Sequence, residues 1–256
     1  MFDYIVAMEE NQYYQNIQKV LEELPENFSV LEEQIDIEVQ MKYFEEAKKI
    51  RAKHLENEYF EKREELFNDD TDDERKKEIL LSIAIIDDVS AFRTIEKFTS
   101  LAEGDLKMWA VLAFQESRML IQSSLLDEQQ VFISTGLGGK GKKLRYYVVF
   151  INKEKNSMLN STQQKLLKDE LIYELNKNDG EFESMDFSEG FSNVLVMLPL
   201  QSDLKQILRN TIDECNQYGN FLDEDMIVTN VKVLSRSEIL DMLKKKDNPI
   251  DELEEE

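Results

Sequence analysis

Residues 144–152 read LRYYVVFIN, a run with a single charge and mostly β-branched or aromatic side chains, and its reading decides the fold. Such side chains fit a pleated, half-buried surface, so the run predicts a long strand. The elements after it set the topology. Ser161-x-x-Gln164 has the form of a helix-capping box, and Leu167, Leu171 and Leu175 then recur four residues apart, with Gly180 closing the helix. Two further β-prone runs, 181–187 and 192–200, flank Ser188-Glu189-Gly190, a turn composition that favours a hairpin. A helix is expected from about Asp203 to Tyr218, with Leu204, Ile207, Leu208, Thr211 and Cys215 on one face and Gly219 at its end. Residues 226–234 make the last strand, and Ser235-x-x-Glu238 caps a short closing helix.

Without that closing helix, the order from residue 144 is β-α-β-β-α-β, the split βαβ arrangement of the ferredoxin-like fold. A short strand, 131–135, precedes it. The expected fold class is α+β: an all-helical N-terminal region followed by a ferredoxin-like α/β sandwich with an extra N-terminal strand and a C-terminal helix. Composition marks the boundary. Only Gly104 of the eight glycines precedes residue 131, and Gly costs about 1 kcal/mol in a helix interior. The expected segments are a helical domain over 1–128, an α+β domain over 129–246, and an acidic tail, 247–256 (DNPIDELEEE), with no fixed structure.

In the first half, Pro25 ends one helix and Ser29-x-x-Glu32 reads as the capping box of the next. Ile35, Ile37 and Val39 alternate as in a strand, but their flanks favour a helix. A second box, Thr71-x-x-Glu74, follows the acidic run 68–73. Beyond it Leu80, Ile83 and Ala84, then Val89, Phe92, Ile95 and Phe98, recur at helical intervals on either side of Asp87-Asp88, which could cap the second helix of a pair. After Gly104, Leu106, Trp109, Ala110, Leu112 and Ala113 begin a third helix. The stretch SIAIIDDVSAFRTIEKF followed by GDLKMWAVLAFQE resembles the HEAT-type helical repeat, over about residues 76–126. The resemblance implies a stacked helical scaffold that binds other macromolecules and has no chemistry of its own.

Charge and rare residues exclude several classes. The chain carries 54 acidic and 31 basic side chains, a net charge of −23. No apolar run nears the ~18 residues of a membrane span, so no membrane association is expected, and MFDYIVAMEE lacks the basic segment of a secretory signal. A single Cys, Cys215, has no intrachain partner and points to a reducing, cytoplasmic compartment. Its place on an apolar helix face makes it a small core residue. His54 is the only imidazole and stands in a Glu/Lys-rich stretch without a nearby Cys. Nucleophilic triads and zinc sites therefore lack their parts, and the acidic run 68–73 lacks the EF-hand spacing. We expect no catalytic residue, no metal and no cofactor.

The candidate site is TGLGGKGKKLRYYVVF, residues 135–150. No acid falls between Glu128 and Glu154, whereas Lys140, Lys142, Lys143, Arg145 and Lys153 reverse the local sign. Glycines that bare backbone amides, beside lysines, suit a phosphate or a carboxylate-rich partner. The candidate binding residues are Gly136, Gly138, Gly139, Lys140, Gly141, Lys142, Lys143 and Arg145. Gly136, Gly138 and Gly141 meet the dinucleotide spacing, and Gly136 to Lys142 the Walker A spacing, but a strand follows where a helix should open. The kinase glycine loop lacks its downstream motifs. Lys143, Tyr147, Val148 and Phe150 match the central strand of the RNA-recognition module, while Leu144, Arg145 and Tyr146 depart from it. A soluble hairpin tip that guards a sheet edge accounts for the same residues. The expected function is that of a non-catalytic adaptor with a helical platform and this basic loop. A protein partner is favoured; RNA or the ribosome is the alternative, an enzyme acting on a phosphorylated small molecule comes third, and a homodimer through the sheet is compatible with the fold.

Overall fold

A computed structural model of the chain describes residues 28–53, 56–128 and 130–247. Pro25, His54 and the tail beyond Asp247 lie outside them. The fold is α+β, with a helical region first and a sheet-plus-helix region after it.

The first described element is a strand, β1 (Phe28–Val30). Ser29 therefore sits in a strand and caps nothing, which corrects the expected box. Helix α1 (Ile37–Arg51) begins instead at Asp36, whose carboxylate accepts the Glu38 N–H. The Glu/Lys-rich stretch beyond α1 breaks into α2 (Glu56–Glu61) and a 3₁₀ turn, Arg63–Phe67. Helix α3 (Asp73–Ile83) is capped by Asp72 rather than Thr71. Asp88 caps α4 (Val89–Leu101) as expected, accepting the N–H groups of Ser90 and Ala91. Helix α5 (Gly104–Leu126) is the longest. These helices close on a core that includes Tyr43, Ile79, Leu80, Ile95, Trp109 and Leu112. Within it Tyr43 donates to Glu116 at 2.8 Å, and Arg51 pairs with the same carboxylate, tying α1 to α5.

The second half follows the expected order. Strand β2 (Val131–Ile133) runs parallel to β1, with Phe28 opposite Val131. The extra strand thus pairs with the first half of the chain and not with the main sheet. Strand β3 (Gly139–Lys140) forms a hairpin with β4 (Lys143–Asn152) through Gly141-Lys142. Gly141 has φ +60°, the glycine-first pattern of tight two-residue hairpins. Then come α6 (Ser161–Lys177), β5 (Glu181–Ser188), β6 (Phe191–Pro199), α7 (Leu204–Gln217), β7 (Leu222–Thr229) and α8 (Arg236–Asp247). Strand β4 lies between β6 and β7, and β5 pairs outside β6, all antiparallel. The order β7-β4-β6-β5 is the ferredoxin-like sheet.

Local chemistry shifts several boundaries. The capping box of α6 is Asn160 with Gln163, one residue before the expected pair. Asp179 (φ 54°) and Asn220 (φ 48°) take left-handed positions after α6 and α7, where the sequence points to Gly180 and Gly219. Strand β7 starts and ends earlier than 226–234. The Glu189-Gly190 turn and the Ser235–Glu238 box are as read.

Strand alternation sends side chains to two cores. Val148, Phe150, Val194, Val196 and Met226 face α6 and α7, which add Leu167, Leu171, Leu175, Ile207, Leu208 and Cys215. Tyr147, Val149 and Phe191 face the other way, where Leu234 and Ile239 cover them and Leu240, Met242 and Leu243 of α8 pack alongside. The closing helix makes a third layer on a sheet face that a two-layer sandwich leaves open.

Burial pushes the Cys215 thiol up to about 12. The folded protein should leave a thiol-specific disulfide reagent unreacted at pH 8, and the unfolded chain should consume one equivalent within minutes. Absorbance of the released thiolate measures both.

Candidate functional site

The glycine segment lies where the two halves of the chain meet. Thr135, Gly136, Leu137, Gly138 and Gly139 are all buried. Its amides are spent internally: Leu137 N–H donates to Asn230, Gly138 N–H to Thr135, and Gly139 N–H to Leu31. From the first half, Val30 N–H donates to the Gly141 carbonyl at 2.8 Å and Gln40 Nε2 to the Thr135 carbonyl at 3.2 Å. The expectation of bared amides is corrected for Leu137 to Gly139, whose N–H groups are consumed by bonds within the second half and, at Gly139, by one that reaches the first.

Steric room explains why glycine stands at these positions. A Cβ on Gly136 would lie 1.7 Å from the Val231 carbonyl oxygen, and one on Gly139 would lie 2.1 Å from that of Lys143. At Gly138 (φ +65°) a Cβ would meet the Glu32 and Glu33 carbonyl oxygens at 2.7 Å. These are close backbone approaches, not a phosphate cradle.

The cations divide into two sets. Lys143 reaches Glu181 at 2.9 Å and Asp179 at 3.3 Å. Arg145 forks onto Glu183 at 2.6 and 2.9 Å and donates to the Leu137 carbonyl at 2.7 Å. Their hydrogen bonds to Glu181 and Glu183 raise the Lys143 ammonium and the Arg145 guanidinium above their ordinary pKa ranges. The fork spans β6, and a bulge in β5 between Phe182 and Ser184 inserts Glu183 on that side. Lys140, Gly141 and Lys142 are the exposed members of the candidate set, with the Lys142 Nζ 5.3 Å from the centre of the Phe28 ring. Lys153 lies elsewhere, donating to Asn220.

Of the two aromatics in the RNA-recognition comparison, Phe150 is fully buried and Tyr147 is 2% exposed. Its hydroxyl donates to the Leu234 carbonyl at 3.3 Å and accepts from Asn193 at 2.8 Å. With its ring under α8, it offers no platform to a base in this arrangement.

The acidic run 68–73 is a helix entry: Asn68 accepts the Asp70 N–H, and Asp72 caps α3. Among the described residues no group of His, Cys, Asp and Glu could hold a metal ion, and no helix is long and apolar enough to cross a membrane. A shallow groove of about 180 Å³ lies between α7 and β7, lined by Arg209, Ile212, Asp213, Glu224 and Asp225. Phe28 and the Arg145–Glu183 fork escaped the sequence reading. The first belongs to a three-residue strand without periodicity, and the second depends on a bulge.

No family model matches the chain, and no curated protein matches it. Among solved structures, it is similar to a "putative transposase" from Deinococcus radiodurans R1, with a TM-score of 0.36 and 15% identity over 41% of this chain and 91% of that one. That likeness is too slight to bear on activity.

Two measurements test this arrangement. Gly136→Ala should lower stability by about 3 kcal/mol or more through forced backbone displacement, against about 1 kcal/mol for Gly141→Ala, whose cost is left-handed backbone alone; urea unfolding compares them. The second follows acid. Hydrogen bonds from Lys232 and Ser235 lower the Glu238 carboxyl from 4.5 to about 2. A depressed carboxylate stabilises the fold above its unfolded pKa, and that contribution is lost as pH falls through the folded value. The cover over Tyr147 should therefore loosen between about pH 4.5 and 2, seen as a change in near-ultraviolet circular dichroism that Glu238→Gln removes from that window.

Proposed function

We propose that the chain is a non-catalytic binding protein, an adaptor whose helical region is the platform and whose exposed tip, Lys140 to Lys142, is the charged contact. One observation carries the proposal: a cationic hairpin tip is held by buried, hydrogen-bonded glycines on a body of net charge −23. A rigid mount lowers the entropy cost of engaging a partner. The partner class is a protein segment rich in carboxylates, which the tip attracts while the rest of the surface repels it, so the charge sets orientation more than affinity.

The HEAT-type resemblance over about residues 76–126 supports the platform role, and the single buried Cys fits a cytoplasmic setting. Phosphates of RNA or the ribosome would meet the same two lysines. The covered Tyr147 favours the protein partner, because sequence-tolerant RNA binding draws much of its strength from exposed aromatic stacking. A catalytic role on a phosphorylated small molecule would need anion donors that the buried amides of Leu137 to Gly139 no longer supply.

Affinity purification from the native cell, comparing the wild-type protein with Lys140→Glu/Lys142→Glu, tests the reading. The wild type should recover an acidic protein that the variant loses, and its own preparation should carry no nucleic acid by absorbance ratio. An unchanged set of recovered proteins would remove the tip from the case. RNA that shifts with the wild type at low salt and not with the variant would move the proposal to the phosphate reading.

A further inference from the structure

Helix α1 keeps an apolar strip on its outer side. Ile37, Met41, Phe44 and Lys48 follow one another at intervals of four, three and four, which places them on one stripe, while Gln40, Tyr43 and Ala47 beside it are buried. Met41 is 43% exposed and Phe44 42%. The strip borders the two-stranded sheet: the Phe44 ring sits 6.4 Å from that of Phe132 in β2, and Gln40, one turn earlier, reaches the Thr135 carbonyl. Helix α1 therefore runs antiparallel to β2. Strand β1 runs parallel to β2 with Phe28 opposite Val131, so the chain enters β1 at the Phe44–Lys48 end of the strip.

An apolar strip at that exposure marks a docking surface, and the sequence ahead of β1 carries a match for it. Tyr13, Ile17, Val20 and Leu24 recur at the same intervals of four, three and four, with Gln15, Gln18, Lys19 and Glu22 between them, and Pro25 closes the run. We propose that residues 11–24 form a helix that straps the strip, parallel to α1. The entry to β1 fixes its placement. Residues 25–27 and the step to Phe28 reach at most about 14 Å, so Leu24 meets the strip at its Lys48 end, and the segment runs back along it to cover Met41. Val20 then lies beside Phe44, Ile17 beside Met41 and Tyr13 beside Ile37, four layers in step at the interaxial distance of about 8–10 Å that packed helices keep. A tethered occupant acts at high effective concentration, so a free partner helix finds the strip taken. The charged hairpin tip has no part in this contact, which does not rest on the adaptor reading.

Lys19 is the one Lys or Arg ahead of Lys42, so trypsin cleavage after it reports on the segment alone. In the wild-type chain that cut should be about tenfold slower than in Met41→Asp, which alters the strip and leaves the segment's own sequence intact. Leu24→Asp, which leaves α1 intact, should speed the cut in the same way. In a separate arm, Ile17→Cys/Met41→Cys should close a disulfide within one chain under mild copper-catalysed air oxidation, at monomer mass on a non-reducing gel, with Cys215 buried and silent. Lys19→Cys/Met41→Cys, whose first thiol stands on the opposite side of the segment, should not. Equal cleavage after Lys19 in the wild type and in both Asp variants would overturn the proposal. So would a link between positions 17 and 41 that forms only between two chains, which would put a second copy on the strip.

Discussion

Three backbone segments approach one another at Gly136 to Gly139 more closely than any side chain permits, and the rest of the fold is arranged around that contact. The Leu31–Glu33 connection ahead of α1 presses on one side, and the Asn230–Val231 exit from β7 presses on the other. Hydrogen bonds from Val30, Gly139 and Gln40 cross the same place. A backbone brought this close to backbone must be dry and paired, because each unmatched buried amide or carbonyl would cost about 1–3 kcal/mol. The segment that looks in sequence like an open loop is the joint of the molecule.

That joint explains how the surface charge is distributed. Lys143 and Arg145 leave β4 on the side where β5 carries Glu181 and the bulged Glu183, so these cations meet carboxylates of their own chain. At the hairpin tip, Lys140, Gly141 and Lys142 are exposed. Further along the same face of the two central strands, α8 closes over Tyr147, Val149 and Phe191. The face on which a ferredoxin-like sheet could meet a ligand or a second sheet is filled by the chain itself.

The second half was readable to the level of topology because its signals are local and repeated. Leucines four apart, a two-residue turn with Gly190 and a box at Ser235 each specify one element without reference to the others. Errors there were shifts of a residue or a few, such as Asn160 for Ser161, where two neighbouring side chains can both cap and tertiary placement chooses between them. The first half was less readable. Ser29 and Glu32 match a capping box, yet three residues of strand pair with a segment about a hundred residues away, and nothing local records that pairing. Glycine spacing points to backbone amides bared for an anion, but composition does not say whether a ligand or the protein's own chain closes on that backbone, and here it is the chain. Lysine and arginine counts likewise showed the sign of the loop and not its partners, since Asp179, Glu181 and Glu183 return to it only through the sheet order.

The pairing of β1 with β2 also bears on how the chain reaches its native state. It closes a loop of roughly 100 residues, and the loss of chain entropy on such closure must be met before any contact offsets it. Hairpins such as β5–β6 and the adjacent helices α4 and α5 close over short distances and can form early. Residue separation therefore places the largest closure cost on the contact that joins the two halves, and a longer connection between them would raise that cost only slowly, by about 0.6 kcal/mol for each doubling of its length.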